Sequence, residues 1–218
     1  MTSTESEAQT QNKPETQTEN MPTNEPGTNL APPNLRRLVL TGFMGAGKST
    51  IGRLLAARLN WSFLDLDAHL ESRTGATIPQ LFAEHGEAHF RRLESSALAS
   101  ALGRDHTVLA LGGGTPEELT NRLLLEQTPA TFTIFLDAPF PTLFDRCMLQ
   151  DIARPVLEDP AAARLRFERR HPLYRRMAAL TIATADQTPA QTVESLLLAL
   201  PQPKAQSQNQ TQTPHSRT

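Results

Sequence analysis

The chain is poor in cysteine and in lysine. Cys147 is its one cysteine among 218 residues, which excludes a disulfide framework and a thiolate metal cluster, so we predict an ordinary helix residue there. Lysine occurs at positions 13, 48 and 204 alone, and every other basic side chain between the first and last of these is arginine. A general preference for arginine explains this pattern, yet Lys48 is an exception to it. Lys48 is therefore the first candidate for a specific chemical role.

Long apolar runs are also absent. The first residues contain neither a basic start nor an apolar stretch, so no secretory signal is predicted, and no run reaches membrane-spanning length. The chain has 21 basic and 23 acidic residues and a net charge of -2 at pH 7. This balance does not favour a general nucleic-acid binder. We expect a cytoplasmic protein with neither a membrane nor a nucleic-acid partner.

Both ends of the chain differ in composition from its middle. Residues 1–34 and 201–218 consist mainly of small polar residues, glutamine and proline, with few apolar side chains. Burial in such segments cannot offset the entropic cost of ordering them. We predict two disordered tails that flank one domain at residues 35–200, a length that suits a single core.

One stretch of the chain fits a phosphate-binding template. Residues 42–50 read Gly-Phe-Met-Gly-Ala-Gly-Lys-Ser-Thr, which matches G-x-x-x-x-G-K-[ST]. The run 36–41 before it is typical of a strand. The residues after it are spaced to form the apolar face of a helix: Ile51, Leu54, Leu55 and Leu59. A glycine-rich turn without a ligand is the alternative, and these flanks disfavour it.

A loop of this kind binds a nucleotide through its phosphates. Successive amide N–H groups point at phosphate oxygens, and the positive end of the following helix strengthens the attraction. Lys48 is expected to reach the β and γ phosphates, while Ser49 supplies a hydroxyl to Mg²⁺. The predicted nucleotide contacts in this loop are Gly45, Ala46, Gly47, Lys48, Ser49 and Thr50.

Strands and helices alternate along the rest of the domain. Further strands are predicted at 62–65, 107–111, 131–136 and 180–183. Predicted helices are 78–84 with Thr77 as its cap, a longer one after Gly86, and 115–127, 139–149, 161–170 and 189–200.

This alternation predicts the fold class. Strands without polar alternation, separated by helices, favour an α/β protein with a parallel sheet covered on both faces. Ligands of such sheets bind outside the carboxyl ends of the strands. The phosphate-binding loop, Asp65, Asp67 and glycines 112–114 all fall there.

Five short motifs follow the phosphate-binding loop in order. They are Asp65-x-Asp67, Gly86-Glu87-x-x-Phe90-Arg91, Gly112-Gly113-Gly114, Arg154-Pro155-Val156-Leu157 and Arg170-x-Pro172-Leu173-Tyr174. The series resembles the shikimate kinase family over essentially all of residues 35–200. The resemblance implies a three-layer αβα P-loop kinase with a central five-stranded parallel sheet and a mobile lid.

The resemblance also implies the reaction and its partners. Shikimate kinases transfer the γ-phosphoryl group of MgATP to the 3-hydroxyl of shikimate, a step toward chorismate and the aromatic amino acids. We therefore expect ATP and shikimate as the small-molecule partners, Mg²⁺ as the cofactor, and a monomer as the active form.

The same resemblance assigns the substrate site. Arg91 and Arg170 form a clamp for the shikimate carboxylate, because a guanidinium can bind both of its oxygens at once. Asp67 accepts hydrogen bonds from ring hydroxyls. Two roles in the transfer are open for Asp67. It acts as a general base that takes the proton of the attacking hydroxyl, or it only orients that hydroxyl because a loose transition state needs little help from a base. The backbone approaches the ring most closely where a side chain would collide with it: at Gly112, Gly113 and Gly114.

On the nucleotide side, the implied metal ligands are Ser49 and, through water, Asp65. Arg154 lies in a stretch of weak helical character between two helices, as expected for a lid that closes over ATP. Gln187 matches a family position whose backbone lies near the adenine. The predicted catalytic residues are Lys48, Asp67 and Arg154.

Several assignments have a simpler alternative. Asp67 could be an ordinary helix cap, and we predict that Arg92 lies on a solvated helix face. His85 and His89 are four residues apart, as in some metal sites. Gly86 interrupts that spacing and no third ligand follows, so no metal site is predicted there.

Other functions share the phosphate-binding loop. Gluconate kinase of the same fold should lack the triple glycine and the Arg-x-Pro-Leu-Tyr element. A GTPase switch would need an Asn-Lys-x-Asp motif, which the domain cannot contain because it has no lysine after Lys48. An inactive, shikimate kinase-like binding module is disfavoured by the intact site residues. Val156, Arg176 and Ala179 depart from the usual family pattern, but none is assigned to chemistry.

Overall fold

A single parallel sheet organises the domain. The computed structural model describes residue 32, residues 34–149 and residues 159–201. The sheet within these ranges consists of β1 (Arg37–Thr41), β2 (Ser62–Asp65), β3 (Thr107–Ala110), β4 (Thr131–Asp137) and β5 (Leu180–Ala183). The strand order is β2-β3-β1-β4-β5, and every neighbouring pair is parallel. The predicted five-stranded parallel sheet is confirmed.

Helices connect the strands, since parallel neighbours need a crossover. They are α1 (Lys48–Leu59), α2 (Leu66–Thr74), α3 (Ile78–Leu102), α4 (Leu119–Gln127), α5 (Phe140–Met148), α6 (Pro160–Met177) and α7 (Pro189–Ala199). None of the helices in the described ranges combines the length and apolar character needed to cross a membrane.

The central strand β1 shows how the helices form two layers on the sheet. Leu38 and Leu40 belong to one buried cluster, together with Leu55 of α1 and Leu196 of α7. Val39 points to the other face, where it joins a second cluster built from α2, α3 and α4. Successive side chains of a strand alternate between faces, so β1 is apolar at each of these positions because both faces are covered. The predicted three-layer arrangement is confirmed.

The two predicted helices before β3 form one bent element. Thr77 caps α3 through a capping box with Gln80. Gly86 inside α3 has φ 74° and ψ 173°, which breaks the helix geometry there and redirects the chain. The predicted interruption at Gly86 is confirmed, although both halves follow one another without a loop.

Two other helix predictions were wrong in their bounds. After the glycines, Thr115–Glu117 forms one 3-10 turn, and α4 begins separately with Glu118 as its N-cap. Helix α6 does not end near Arg170 but continues past Pro172 to Met177. Pro172 costs a backbone hydrogen bond, but burial of Tyr174 beyond it keeps the helix packed on the sheet.

The predicted apolar face of α1 contains one error. Ile51, Leu55 and Leu59 are buried, as expected, whereas the side chain of Leu54 is 41% exposed. Leu54 precedes Leu55 by one residue, and a helix turns about 100° per residue, so both cannot face the sheet.

Candidate active site

The phosphate-binding loop places Lys48 at the first residue of α1. Gly45 and Gly47 have φ of 77° and 86°, a region that side chains disfavour, so glycine is needed at both. The Lys48 ammonium donates to the carbonyl oxygens of Gly42 at 2.8 Å and Phe43 at 3.1 Å. These bonds hold its charge over the mouth of the loop.

A cavity of about 410 Å³ adjoins this loop. It is lined by Gly45, Ala46, Gly47 and Thr50 and, from α5 and the segment after β5, by Arg146 and Gln187. Gln187 therefore lines the same cavity as the phosphate-binding loop. Arg146 was missed because no motif marks it; its guanidinium donates to the backbone carbonyls of Thr184 and Ala185.

Ser49 and Asp65 lie together at the carboxyl ends of the strands. The Ser49 hydroxyl donates to Asp65 Oδ2 at 2.6 Å, while Asp65 Oδ1 accepts the backbone N–H groups of Asp67 at 3.1 Å and Ala68 at 3.5 Å. Asp65 is thus the N-cap of α2. The helix-cap alternative considered for Asp67 belongs to Asp65 instead. Strand β2 ends at Asp65, and Asp67 lies in the first turn of α2.

Asp67 has a strongly perturbed acidity. Burial raises its pKa to about 6, with further contributions from the negative charges of Asp65 and Glu94, against a lowering by Lys48. Gly112 lies directly opposite, since a Cβ there would be 2.6 Å from Asp67 Oδ1. Asp67 therefore changes protonation just below neutral pH, beside a backbone that has no room for a side chain.

Arg91 and Arg170 converge on the last of the three glycines. A Cβ on Gly114 would lie 2.7 Å from Arg91 Nη2 and 3.1 Å from Arg170 Nη2. The two side chains are 12% and 11% exposed, whereas Arg169 is 68% exposed and Arg92 is on the surface. The register of helix α6 thus points Arg170 toward the glycines and Arg169 toward the solvent. The glycines separate Asp67 at one end of the site from two guanidinium groups at the other.

Glu94 is a site residue that the sequence prediction missed. Its side chain is 2% exposed, and its oxygens accept from Arg91 Nη1 at 2.8 Å and from the Thr115 hydroxyl at 2.6 Å. A buried carboxylate needs such partners to offset its loss of hydration. Glu94 lies three residues after Arg91, so helical spacing was the available signal. The pKa of the Arg91 guanidinium is raised: burial lowers it, but the charge and hydrogen bond of Glu94 outweigh burial.

Tyr174 supports the glycine segment from below. It is fully buried on α6, and its hydroxyl donates to the Gly113 carbonyl at 2.6 Å. Burial raises the pKa of this phenol far above its ordinary value, so it stays a donor. The Arg-x-Pro-Leu-Tyr motif therefore contributes both an inward arginine and a brace for the triple glycine.

The predicted lid falls mostly outside the described residues. Arg154, which was assigned to catalysis and ATP binding, lies there, and so does Val156.

The two other residues that depart from the family pattern, Arg176 and Ala179, are outside the proposed site. Arg176 lies exposed in the last turn of α6, where a positive charge suits the helix dipole. The backbone N–H of Ala179 donates to the Thr133 carbonyl at 2.9 Å.

Comparison with known proteins identifies the family. A family model described as shikimate kinase matches residues 44–201. The chain belongs to the shikimate kinase family. Among similar proteins, the shikimate kinase of Thermobifida fusca is 40% identical over 169 residues, which cover 75% of this chain and 94% of that protein. The shikimate kinase of Persephonella marina is 36% identical over 164 residues, covering 75% and 98%.

Solved shikimate kinases share the fold. The shikimate kinase from Acinetobacter baumannii, solved in complex with shikimate, has a TM-score of 0.68 and 38% identity, covering 75% of this chain and 91% of that one. The enzyme from Aquifex aeolicus has a TM-score of 0.65 and 34% identity. The predicted family, fold and enzyme class are confirmed, and the chain is an ATP-dependent kinase.

Proposed function

We propose that the chain transfers the γ-phosphoryl group of ATP to the 3-hydroxyl of shikimate, giving shikimate 3-phosphate and ADP. One observation carries the acceptor assignment: Asp67 and the Arg91–Arg170 pair lie at opposite ends of glycines 112–114. Shikimate has the matching polarity, a carboxylate on one side of its ring and hydroxyls on the other. The bound ligand named for the Acinetobacter enzyme supports the same acceptor.

The carboxylate end explains the choice of arginine. Two nearly buried guanidinium groups offer several N–H donors in fixed planes, and carboxylate hydrogen bonds to them are strong. A neutral sugar would leave these donors and charges unsatisfied. The clamp therefore favours an acceptor that carries a carboxylate. Gluconate carries one as well, so discrimination between shikimate and gluconate has to come from the hydroxyl end of the site.

At the hydroxyl end, Asp67 orients the acceptor. Its ionised carboxylate accepts hydrogen bonds from ring hydroxyls and is near Lys48, whose charge acts on it. A pKa of about 6 leaves Asp67 mostly ionised at neutral pH and able to hold the proton of the attacking hydroxyl as the bond to phosphorus forms. Alignment of donor and acceptor supplies most of the catalysis in phosphoryl transfer.

The nucleotide end fits MgATP. Amide groups of residues 45–50 hold the phosphates, and Lys48 exchanges its carbonyl partners for phosphate oxygens. The Ser49 hydroxyl and Asp65 carboxylate are the hard oxygen donors that Mg²⁺ prefers. Within the described ranges, no group of three or more histidine, cysteine or acidic side chains could hold a metal by itself, so ATP and water would complete the shell. The ion supplies positive charge to the phosphates when bound, and Arg154 is proposed to add to it.

A coupled assay of ADP release tests this function. Purified chain with ATP and Mg²⁺ is expected to release ADP when shikimate is added and not when gluconate is added, with the product identified by mass spectrometry. If gluconate is phosphorylated and shikimate is not, the proposed acceptor is wrong and gluconate takes its place. If ATP and shikimate bind without turnover, the chain is an inactive binding module. We also propose that the active form is a monomer, which sedimentation of the assayed sample checks.

A further inference from the structure

One carboxylate in the site has no part in the proposed reaction. Glu117 ends the 3-10 turn after the three glycines. Its Oε2 accepts from Arg170 Nε at 2.8 Å, lies 2.6 Å from Arg170 Nη2 and is 3.7 Å from Arg91 Nη2. Glu117 thus bridges the two guanidinium groups that the proposed function assigns to the carboxylate of shikimate.

Glu117 and an incoming carboxylate need the same donors. The Nε edge of Arg170 binds one carboxylate at a time because its two N–H groups diverge little from parallel. No carboxylate other than Glu117 contacts Arg170 in the described part of the chain, whereas Arg91 also contacts Glu87 and Glu94. A carboxylate that binds the Nε edge of Arg170 must therefore remove Glu117 from that edge.

Glu117 is ionised at neutral pH and can therefore compete with a ligand carboxylate for the arginines. Burial favours the neutral acid, but hydrogen bonds and positive charges from Arg170 and Arg169 outweigh burial and lower the pKa of Glu117. The side chain is 18% exposed and ionised, so it binds the clamp as an anion.

The surroundings let Glu117 move without moving the loop. Its backbone carbonyl accepts from Arg122 Nη1 at 2.9 Å, and Asn121 holds the start of the turn through the Thr115 carbonyl at 3.0 Å. Arg169, which is mostly exposed, contacts the other oxygen, Oε1. The Glu117 side chain can therefore rotate away from Arg170 and Arg91 and still keep its ion pair with Arg169.

We propose that the Glu117 carboxylate competes with ligand carboxylates for the Arg91–Arg170 clamp. The competition lowers the affinity of the clamp for any carboxylate and thereby selects ligands that also reach Asp67. This inference rests on the proposed function. A ligand with only a carboxylate gains the same hydrogen bonds to the arginines that Glu117 loses, so the free energy of the exchange is close to zero. Shikimate adds hydroxyl contacts at the other end of the glycines, so it displaces Glu117 with a net gain.

Calorimetric titration of the full chain tests the competitor. Glu117→Gln removes the charge at nearly constant shape and should tighten shikimate binding about fivefold, as expected for loss of one partly exposed ion-pair partner. The same variant should tighten cyclohexanecarboxylate, which lacks hydroxyls, by at least as much. The methyl ester of shikimate, which has no charge, should bind both proteins equally.

A neighbouring residue provides the matched control. Glu118→Gln removes the same charge one residue further on, and Glu118 makes no ion pair in the described residues, so shikimate affinity should stay within about twofold. Unchanged or weaker shikimate binding in Glu117→Gln, or equal tightening in Glu118→Gln, would overturn the proposal. Thermal melting of each variant shows whether it is folded.

A crystal structure of the unsubstituted chain with shikimate gives an answer that needs no variant. The Glu117 carboxylate should have left Arg170 Nε, with the shikimate carboxylate in its place. Persistence of the Glu117–Arg170 hydrogen bond beside bound shikimate would contradict the proposal. If the unsubstituted chain neither binds nor phosphorylates shikimate, the proposed function fails, and the cyclohexanecarboxylate titration still decides the role of Glu117.

Discussion

The Ser49 hydroxyl donates a 2.6 Å hydrogen bond to Asp65 Oδ2, while the other oxygen of Asp65 caps helix α2. One carboxylate therefore joins the phosphate-binding loop to the helix that presents Asp67. Contacts within the chain thus hold together the two groups that are proposed to bind the metal.

This link makes Ser49 a test of metal use. We expect Ser49→Ala to raise the Mg²⁺ concentration needed for half-maximal activity by about tenfold, because one oxygen ligand is lost while Asp65 keeps its cap. The measurement is a Mg²⁺ titration of the coupled assay at saturating ATP and shikimate. Ser72→Ala, at an exposed serine of α2, is the comparison, and an equal effect there would contradict a specific role for the Ser49 hydroxyl.

Replacing Lys48 with methionine should remove phosphoryl transfer without unfolding the domain. The Lys48 ammonium donates to backbone carbonyls of its own loop, and methionine keeps most of the length of the side chain. Loss of a positioned positive charge at the transferred group should lower kcat by about 10² to 10³-fold. Lys13→Met and Lys204→Met, the other lysines, should leave kcat unchanged; substantial activity in Lys48→Met would refute its role.

The acidity of Asp67 predicts the pH dependence of catalysis. Its pKa is raised to about 6, and the proposed role needs the ionised form. The kcat/KM for shikimate should therefore fall as pH is lowered through about 6, with a tenfold loss per pH unit below it. The profile is measured with stopped assays in constant ionic strength, and a flat profile from pH 7 to 5 would exclude this assignment.

The same shift predicts that Asp67 costs stability. A carboxyl whose pKa is higher in the folded than in the unfolded chain stabilises the fold when protonated, and this contribution is lost as pH rises through 6. Asp67→Asn should therefore raise the free energy of unfolding by about 1–3 kcal/mol at pH 8, with little effect at pH 3.5, while it lowers kcat. Urea titrations at both pH values provide the check, and destabilisation at pH 8 would be the contrary result.

Gly112→Ala should damage the site by contact with Asp67. The added Cβ would lie 2.6 Å from Asp67 Oδ1 and 3.2 Å from Glu94 Oε1, so both carboxylates must shift. We expect at least a tenfold loss of kcat/KM, because small misplacement of catalytic groups is costly. Gly103→Ala is the control, since Gly103 has ordinary helical backbone angles and an added Cβ comes no closer than 3.4 Å. Equal activities of the two variants would show that Asp67 is not confined by Gly112.

Local signals made the fold and much of the site predictable. The strand bounds follow from apolar runs, and the loop 42–50 places Lys48 and Ser49 by its template alone. What the sequence did not show depends on contacts between distant residues. The continuation of α6 past Pro172 depends on burial of Tyr174, which no local propensity expresses.

The acidic residues of the clamp were missed for a related reason. Glu94 and Glu117 are ordinary charged residues by composition, and their importance arises only when α3, α6 and the turn after β3 meet around the same arginines. Glu117 is 53 residues from Arg170 and Glu94 is 21 residues from Thr115, and helix or strand periodicity cannot show contacts over such separations. The three-residue spacing of Arg91 and Glu94 is visible in the sequence, but it does not show that the pair is buried. Motif matching selected Asp67, Arg91 and Arg170, which line the proposed substrate site, but not the carboxylates that pair with the two arginines.

The buried brace between Tyr174 and Gly113 gives the protein a spectroscopic label of its own. Tyr174 is the one tyrosine of the chain and Trp61 its one tryptophan. Trp61 precedes β2 at the amino end of the sheet, with its ring centroid 5.5 Å from that of His106, whereas Tyr174 lies beneath the substrate site. Near-ultraviolet signals of the two chromophores therefore report on opposite ends of one domain, so ligand binding and loss of the core can be followed separately in the unlabelled protein.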